Sequence, residues 1–246
     1  MASFGGLALA VILVGAAILR ARGAWSGELV WHPDESFMVI FPLDLFSGDL
    51  NPHVFAYPSF HYYELGLLYG VDLGLQSLFG DAGRFDWIAS RYFIDAVPLR
   101  DTARWLSIVY ALGTVVLAAV LGGRLSRAGR TLSASGLLGA ALMAVNVVHV
   151  RQSPLAAVDT PMTFWFVAAA AASLRLLATH RRRDYALAGV LVGVAAATKY
   201  PGVVCCLGVV AAHALSRRRL FDARLWISGA CALATFITLS PYVLLD

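Results

Sequence analysis

Apolar runs separated by clusters of arginine make up most of this chain, and they leave few folds open to it. The runs cover roughly 3–20, 104–123, 132–149, 159–178, 185–198, 201–216 and 225–243, the fifth and sixth being short. A helix rises 1.5 Å per residue, so about 20 apolar residues cross the hydrocarbon core of a bilayer. Only 14% of residues are charged, and the mean hydropathy is +0.73. A soluble domain carries charge on about a quarter of its residues. The expected fold class is therefore an all-α polytopic membrane protein, a bundle of about seven transmembrane helices. The first run, "MASFGGLALAVILVGAAILRARG", lacks the charged start of a secretory signal and is followed by further spans. It reads as the first transmembrane helix.

The arginines set an orientation. "RLSRAGR" (124–130), "RRR" (181–183) and "RRRLFDAR" (217–224) fall in alternate loops. If each run is one span, all three lie on one side, which the positive-inside rule makes cytoplasmic. Residues 21–103, the turn around Arg151 and "KYPG" (199–202) then face outward from a plasma (inner) membrane. Arg20 and Arg22 run against this count. The long insertion at 21–103 must cross zero times or twice. Its apolar stretch 57–80 holds Glu64 and Asp72 and suits a helix lying in the interface; a second interfacial helix is expected over about 85–97. The chain reads as one transmembrane domain, 1–246, with this outward loop between spans one and two. Its basic residues, 18 arginines and one lysine, lie between apolar runs and orient helices, so no nucleic-acid partner is expected. Cys205, Cys206 and Cys231 sit in apolar runs and read as small hydrophobes. No Walker loop, GxGxxG turn or HExxH helix is present.

The remaining polar residues are then informative. "WHPDESF" (31–37) places Asp34 and Glu35 side by side between two aromatics, just beyond the first span. Such a pair can supply a general base or metal ligands. Asp159, in "VRQSPLAAVDTPMTF", falls on the same face; before Thr160-Pro161 it also makes a good helix N-cap. His149, Arg151 and Lys199, the sole lysine, stand at the outward ends of spans three and five. They are either snorkelling side chains or a clamp for an anionic group such as a lipid phosphate. His53 and His61, in "NPHVFAYPSFHYY", show no fixed metal spacing.

Taken in order, the acidic pair, "GDLNPHVFAYPSFHYY", "HVRQSPLAAVDTPMTF" and "TKYPG" resemble the GT-C glycosyltransferases. The likeness is to the branch holding the protein O-mannosyltransferases and the aminoarabinose transferase of lipid A, and it runs over essentially the whole chain. It implies a GT-C-like bundle, a polyprenyl-phosphate sugar as donor, membrane lipid around it, and transfer on the outer side. It places Asp34 at the family's catalytic acid, Glu35 at its neighbour and Asp159 at the acid of the second outward loop. Lys199 matches the lysine of the "TKYPG"-like turn. On this reading Asp34 takes the proton of an acceptor hydroxyl, and the reaction inverts the anomeric centre. The leaving phosphate is met by Arg151 and Lys199, or by a divalent cation on Asp34, Glu35 and Asp159.

Two features depart from the resemblance. Family members run to about twice this length, so the chain reads as the N-terminal part of a longer enzyme. The lysine motif of the aminoarabinose branch is replaced by "FAYPSF", with Tyr57 before the proline, which points away from that branch's acceptor and metal arrangement. Two rival functions remain at this stage. A transporter or flippase of a lipid-linked substrate would place charges mid-span and show internal repeats. A non-catalytic scaffold would tolerate replacement of all three acids.

Overall fold

The computed structural model describes residues 2–24, 30, 32–79, 95–126, 130–216 and 222–246, and every regular element among them is helical. The helices are α1 (Ala2–Ala21), α2 (Asp34–Asp44), α3 (Phe60–Phe79), α4 (Val97–Leu125), α5 (Ala134–Val145), α6 (Val147–Gln152), α7 (Asp159–Thr179), α8 (Arg182–Thr198), α9 (Cys206–Leu215), α10 (Ala223–Leu239) and α11 (Tyr242–Leu245). Single 3-10 segments, Leu45–Ser47 and Tyr200–Cys205, extend α2 and precede α9. This is an all-α membrane protein. Three helices, Phe4–Ala21, Val97–Leu125 and Asp159–Thr179, are long and apolar enough to cross a bilayer; Ala134–Val145, Tyr200–Leu215 and Ala223–Leu239 are shorter apolar helices. On α1 the residues Phe4, Leu7, Val11, Val14 and Ile18 are all exposed. Their spacing of three and four puts them in one stripe that meets lipid.

Three expected spans are broken, each for a local reason. The stretch 132–149 is cut at Asn146, whose side-chain oxygen accepts the N–H of His149 at 2.9 Å and starts α6 afresh. A short amide side chain competes with the backbone in this way. The stretch 201–216 begins as a 3-10 segment with Pro201 in its first turn. The last expected span stops at Leu239, before Ser240 and Pro241, since proline disfavours helix in the residue before it. In the insertion, α3 occupies the expected interfacial stretch and exposes Leu67, Val71, Leu75 and Leu78 along one side. Helix α2 is not among the sequence expectations. The expected helix over about 85–97 falls mostly outside the described residues.

Side-chain bonds gather the end of α1, the start of α2, the first turns of α4, the loop after α6 and the end of α8 in one region, here called the site end. Arg20 is fully buried there. Its guanidinium donates to the carbonyls of Ala16 and Ala144 at 3.0 Å and to Ser153 Oγ at 3.1 Å, and meets His149 Nδ1 at 2.9 Å. It closes the end of α5 onto α1 and the loop after α6. Arg20 is thus an internal staple rather than a free loop charge, which accounts for its place against the charge count. At the opposite end Arg175 Nε meets Asp184 at 3.0 Å across the α7–α8 turn.

Helices α8 and α10 pack along each other with backbones nearly touching. A Cβ on Gly189 would lie 2.1 Å from the carbonyl oxygen of Ser228, and one on Gly193 2.5 Å from that of Ala232. Spaced i and i+4, the two glycines form the small-residue seam that lets membrane helices approach closely. Gly193→Leu should therefore force α10 off α8 and lower the thermal midpoint in detergent. Gly229→Ala, where nothing lies within 4 Å of the added carbon, should leave it unchanged; equal midpoints for the two variants would disprove the seam.

Candidate active site

Asp34 opens α2, with Glu35 beside it in the first turn. Pro33 precedes them, and His32 accepts the N–H of Asp34 on Nδ1 at 3.2 Å, so His32 shapes the helix start. Adjacent residues on a helix point about 100° apart, and the two acids go separate ways. Glu35 is fully buried. Arg104 of α4 grips it with two bonds, Nε to Oε1 at 2.9 Å and a terminal nitrogen to Oε2 at 2.7 Å. The backbone N–H of Ala156 donates to Oε1 at 3.1 Å. This is a desolvated, bidentate pair, the geometry that lets a buried ion pair hold.

Asp34 faces the other way, and its side chain is 15% exposed. The hydroxyl of Tyr57, from the extended segment before α3, donates to Oδ2 at 2.7 Å. Burial first, and then the bond to Asp34, push the Tyr57 hydroxyl up to about 12, so it keeps its proton and remains a donor. The ammonium of Lys199 lies 5.4 Å from the centre of the Tyr57 ring, within reach of a cation–π contact. That ammonium donates to Asp159 Oδ1 at 2.6 Å. Lys199 caps the end of α8 in an extended conformation, and Asp159 begins α7. Tyr200, next in the chain, donates from its hydroxyl to the carbonyl of Phe55 at 3.1 Å and pins the Tyr57 segment over this end. Asp34, Tyr57, Lys199 and Asp159 therefore form one continuous cluster.

Several expectations are corrected here. Asp159 is not an N-cap: Val158 holds that position without a side-chain bond, and the Asp159 carboxylate is drawn to the lysine instead. Glu35 does not join Asp34 and Asp159, because Arg104 and Ala156 occupy its oxygens. Among the described residues no group of three acidic, histidine or cysteine side chains is placed to hold a metal. The set Asp34, Glu35 and Asp159 thus does not fit a divalent cation, and no step below passes through one. Arg151 is exposed near the end of α6 and lines a cleft with Gly23, Val148 and Gln152. A neighbouring cleft of about 390 Å³, sharing Val148 and Gln152, reaches Asp159 and Thr160. His61 is buried against Glu64, with Nδ1 at 2.9 Å from Oε2, and the hydroxyl of Tyr110 donates to the other oxygen of Glu64. His53 lies apart on an exposed turn with φ of 50°. Its Nε2 is 2.9 Å from Asp49 and its Nδ1 3.3 Å from Asp246.

Sequence reasoning missed Arg104 and the role of the Tyr57 hydroxyl. Arg104 sits where span two begins and reads as an interfacial charge. Its partner is 69 positions away, and no one-dimensional signal links them.

Breaking the buried pair from one side should cost about 3–5 kcal/mol. Glu35→Gln is expected to lower the thermal midpoint strongly, and Glu35→Leu with Arg104→Met to recover much of the loss; a Glu35→Gln midpoint like that of the parent would refute the bidentate pair.

The His53 turn makes a separate prediction in pH. Its hydrogen bond to Asp49 raises His53 above its ordinary 6.5. A raised group stabilises fully below the unfolded value and loses its effect as pH climbs through the folded one. Asp49 is held below 3.8, first by the backbone N–H of Asn51 and then by His53, so its share fades only as pH falls through that depressed value. The turn should be tightest between these limits. NMR titration should place the His53 midpoint above 6.5, and Asp49→Asn should bring it back down.

A family model described as dolichyl-phosphate-mannose-protein mannosyltransferase matches residues 66–246. The matched region contains Arg104, Arg151, Asp159 and Lys199, and it begins after Asp34, Glu35, His53 and Tyr57. No curated protein and no solved structure matches the chain. An all-helical membrane fold together with a match across most of the sequence shows that the chain belongs to the dolichyl-phosphate-mannose-protein mannosyltransferase family of membrane glycosyltransferases, of the GT-C mannosyltransferase-like kind.

Proposed function

We propose that this chain carries the donor-side chemistry of sugar transfer from a polyprenyl phosphate to an acceptor hydroxyl, on the outer face of the plasma membrane, with inversion. The observation that carries the reading is the Asp34–Tyr57–Lys199–Asp159 cluster, which sets a carboxylate and an ammonium on either side of one tyrosine. The acceptor oxygen attacks the anomeric carbon as its proton passes to Asp34. The bond from that carbon to the phosphate oxygen breaks, and the lipid phosphate leaves with the electron pair. One displacement inverts the anomeric centre. Tyr57 holds the Asp34 carboxylate in place by its donated bond. Lys199, oriented by Asp159, meets the charge that grows on the phosphate. Arg151, one cleft away, is a second cation at the same end.

This division suits a lipid donor. The tail stays beside the apolar helices, while the phosphate and sugar reach the helix ends where the charged groups stand. The transporter reading would need charges deep within spans; the cluster instead sits at the ends of α2, α7 and α8.

The test is transfer from a long-chain polyprenyl-phosphate sugar by the membrane-embedded full chain. Asp34→Asn should lose about 100- to 10,000-fold in turnover with unchanged insertion and thermal midpoint. Lys199→Gln should also lose turnover, and Lys199→Arg should restore part of it. Near-parental turnover by Asp34→Asn would remove Asp34 as the base.

A further inference from the structure

Arg20 also decides the state of its neighbour His149. Its guanidinium meets His149 Nδ1 at 2.9 Å. A guanidinium only donates, so Nδ1 accepts and carries no proton. The ring hydrogen is then on Nε2. A proton on both nitrogens would set a second positive charge against Arg20. Burial first, and then the charge of Arg20, take His149 from its ordinary 6.5 down to about 4. At neutral pH His149 is therefore an uncharged donor with one fixed tautomer, not a cation for a phosphate. The Nε2–H is shielded from water and has no hydrogen-bond partner among the described residues. Folded proteins keep few buried donors in that state, and one at the wall of a cleft suits an incoming acceptor.

His149 lines the cleft of about 390 Å³ that reaches Asp159. The other polar walls sort into donors and acceptors. Asn146 spends its side-chain oxygen on the N–H of His149 at 2.9 Å, which leaves its amide hydrogens. Thr160 and Thr163 donate to the carbonyls of Gln152 and Asp159, at 3.3 and 2.8 Å, which leaves their oxygens to accept. Asp159 adds a carboxylate whose charge Lys199 balances. Among the described residues no lysine or arginine lines this cleft; Arg151 lines the neighbouring one. A phosphate here would meet a carboxylate and no cation. A hydroxyl donates once and accepts twice, so a ring bearing several of them finds partners of both kinds. Met143 and Val148 supply apolar surface for the C–H face of such a ring, and the volume falls in the range of small-molecule pockets.

We propose that His149, fixed as the Nε2–H tautomer by Arg20, is a specificity residue that donates to one hydroxyl of an uncharged sugar ring seated between α6 and the start of α7. The assignment rests on the transfer reading above and adds a residue that reads the sugar. The ring could belong to the donor or to a glycan acceptor, since both present the same hydroxyls.

Two measurements on the full chain in nanodiscs decide it. The first, histidine nitrogen NMR of the parent, needs no transfer and so stands apart from the catalytic reading. At pH 7 His149 should show a protonated Nε2 and an unprotonated Nδ1, and Nε2 should shift when sugar binds. A shift with polyprenyl-phosphate mannose alone assigns the ring to the donor. A shift with methyl mannoside, added over sugar-free polyprenyl phosphate, assigns it to the acceptor. An Nδ1–H tautomer, an imidazolium, or an Nε2 unmoved by either probe ends the proposal. The second measurement is transfer with monodeoxy forms of whichever partner shifts the ring. The parent should reject one of them at least about tenfold in kcat/KM. In His149→Phe that ratio should fall to within about twofold, and His149→Gln, whose amide can donate from nearly the same place, should restore it. A role confined to folding, or to holding a buried water, would leave the ratio untouched in both variants, and that result overturns the proposal. If the parent transfers nothing while Nε2 still shifts, the catalytic reading fails and the sugar site stands.

Discussion

The bidentate pair between Glu35 and Arg104 is the contact on which the site end depends. Two charges taken wholly out of water carry a large desolvation cost, and only good geometry with further hydrogen bonds offsets it. Here the guanidinium fork and the N–H of Ala156 satisfy the carboxylate. Three pieces of chain are joined at one point: α2, α4 and the loop that leads into α7. Because neighbouring helical residues diverge by about 100°, turning Glu35 inward turns Asp34 toward Tyr57. The buried acid aims the accessible one. Asp159 follows Ala156 by three positions, so the same anchor fixes the start of α7 and with it the carboxylate facing Lys199.

The second half of the site comes from helix direction. Helix α8 ends where α7 begins, and this brings the residue that caps the one, Lys199, and the first residue of the other, Asp159, within 2.6 Å. For the transfer proposed above, a lysine there would have an advantage over arginine: a compact ammonium on a flexible stem could turn between Asp159 and a phosphate. Tyr57 separates the two charged sites. Its ring lies near the ammonium and its hydroxyl against Asp34, which keeps the Asp34 carboxylate and the Lys199 ammonium from pairing with each other. A direct Asp34–Lys199 bridge would leave neither free to meet substrate.

Much of the helical fold was legible because apolar length is a one-dimensional signal. Helices fall on every expected apolar run, three of them long and apolar enough to cross a bilayer, and the departures at Asn146, Pro201 and Pro241 come from residues whose local chemistry is known. The candidate site was legible in part. Asp34, Asp159 and Lys199 stood out as rare charges at helix ends, and the structure brings them into one cluster with Tyr57. What stayed hidden depends on partners distant in sequence. Glu35 looks equivalent to Asp34 until α4 supplies Arg104. Asp159 looks like a cap until α8 supplies Lys199. Arg20 looks like a loop charge until α5 supplies the carbonyls of Met143 and Ala144. In each case a residue type has two uses, and the choice is made by a neighbour that only folding provides.

The placement of chemistry at helix ends follows from the substrate the site would have to take. A phosphate drawn into hydrocarbon would lose its hydration with little to replace it, while a polyprenyl tail drawn into water would expose its whole apolar surface. A reaction that joins such a donor to a hydrophilic acceptor has one region where both costs stay small, the boundary between bilayer and water. The sequence meets that constraint twice. It keeps ionisable residues mostly at the ends of its long helices, and it keeps the stretches between those ends apolar. The buried charges near the boundary, Arg20, Glu35 and Arg104, are spent on protein partners rather than on substrate, and this leaves Asp34, Lys199 and Asp159 as the partly accessible charged groups joined in the cluster.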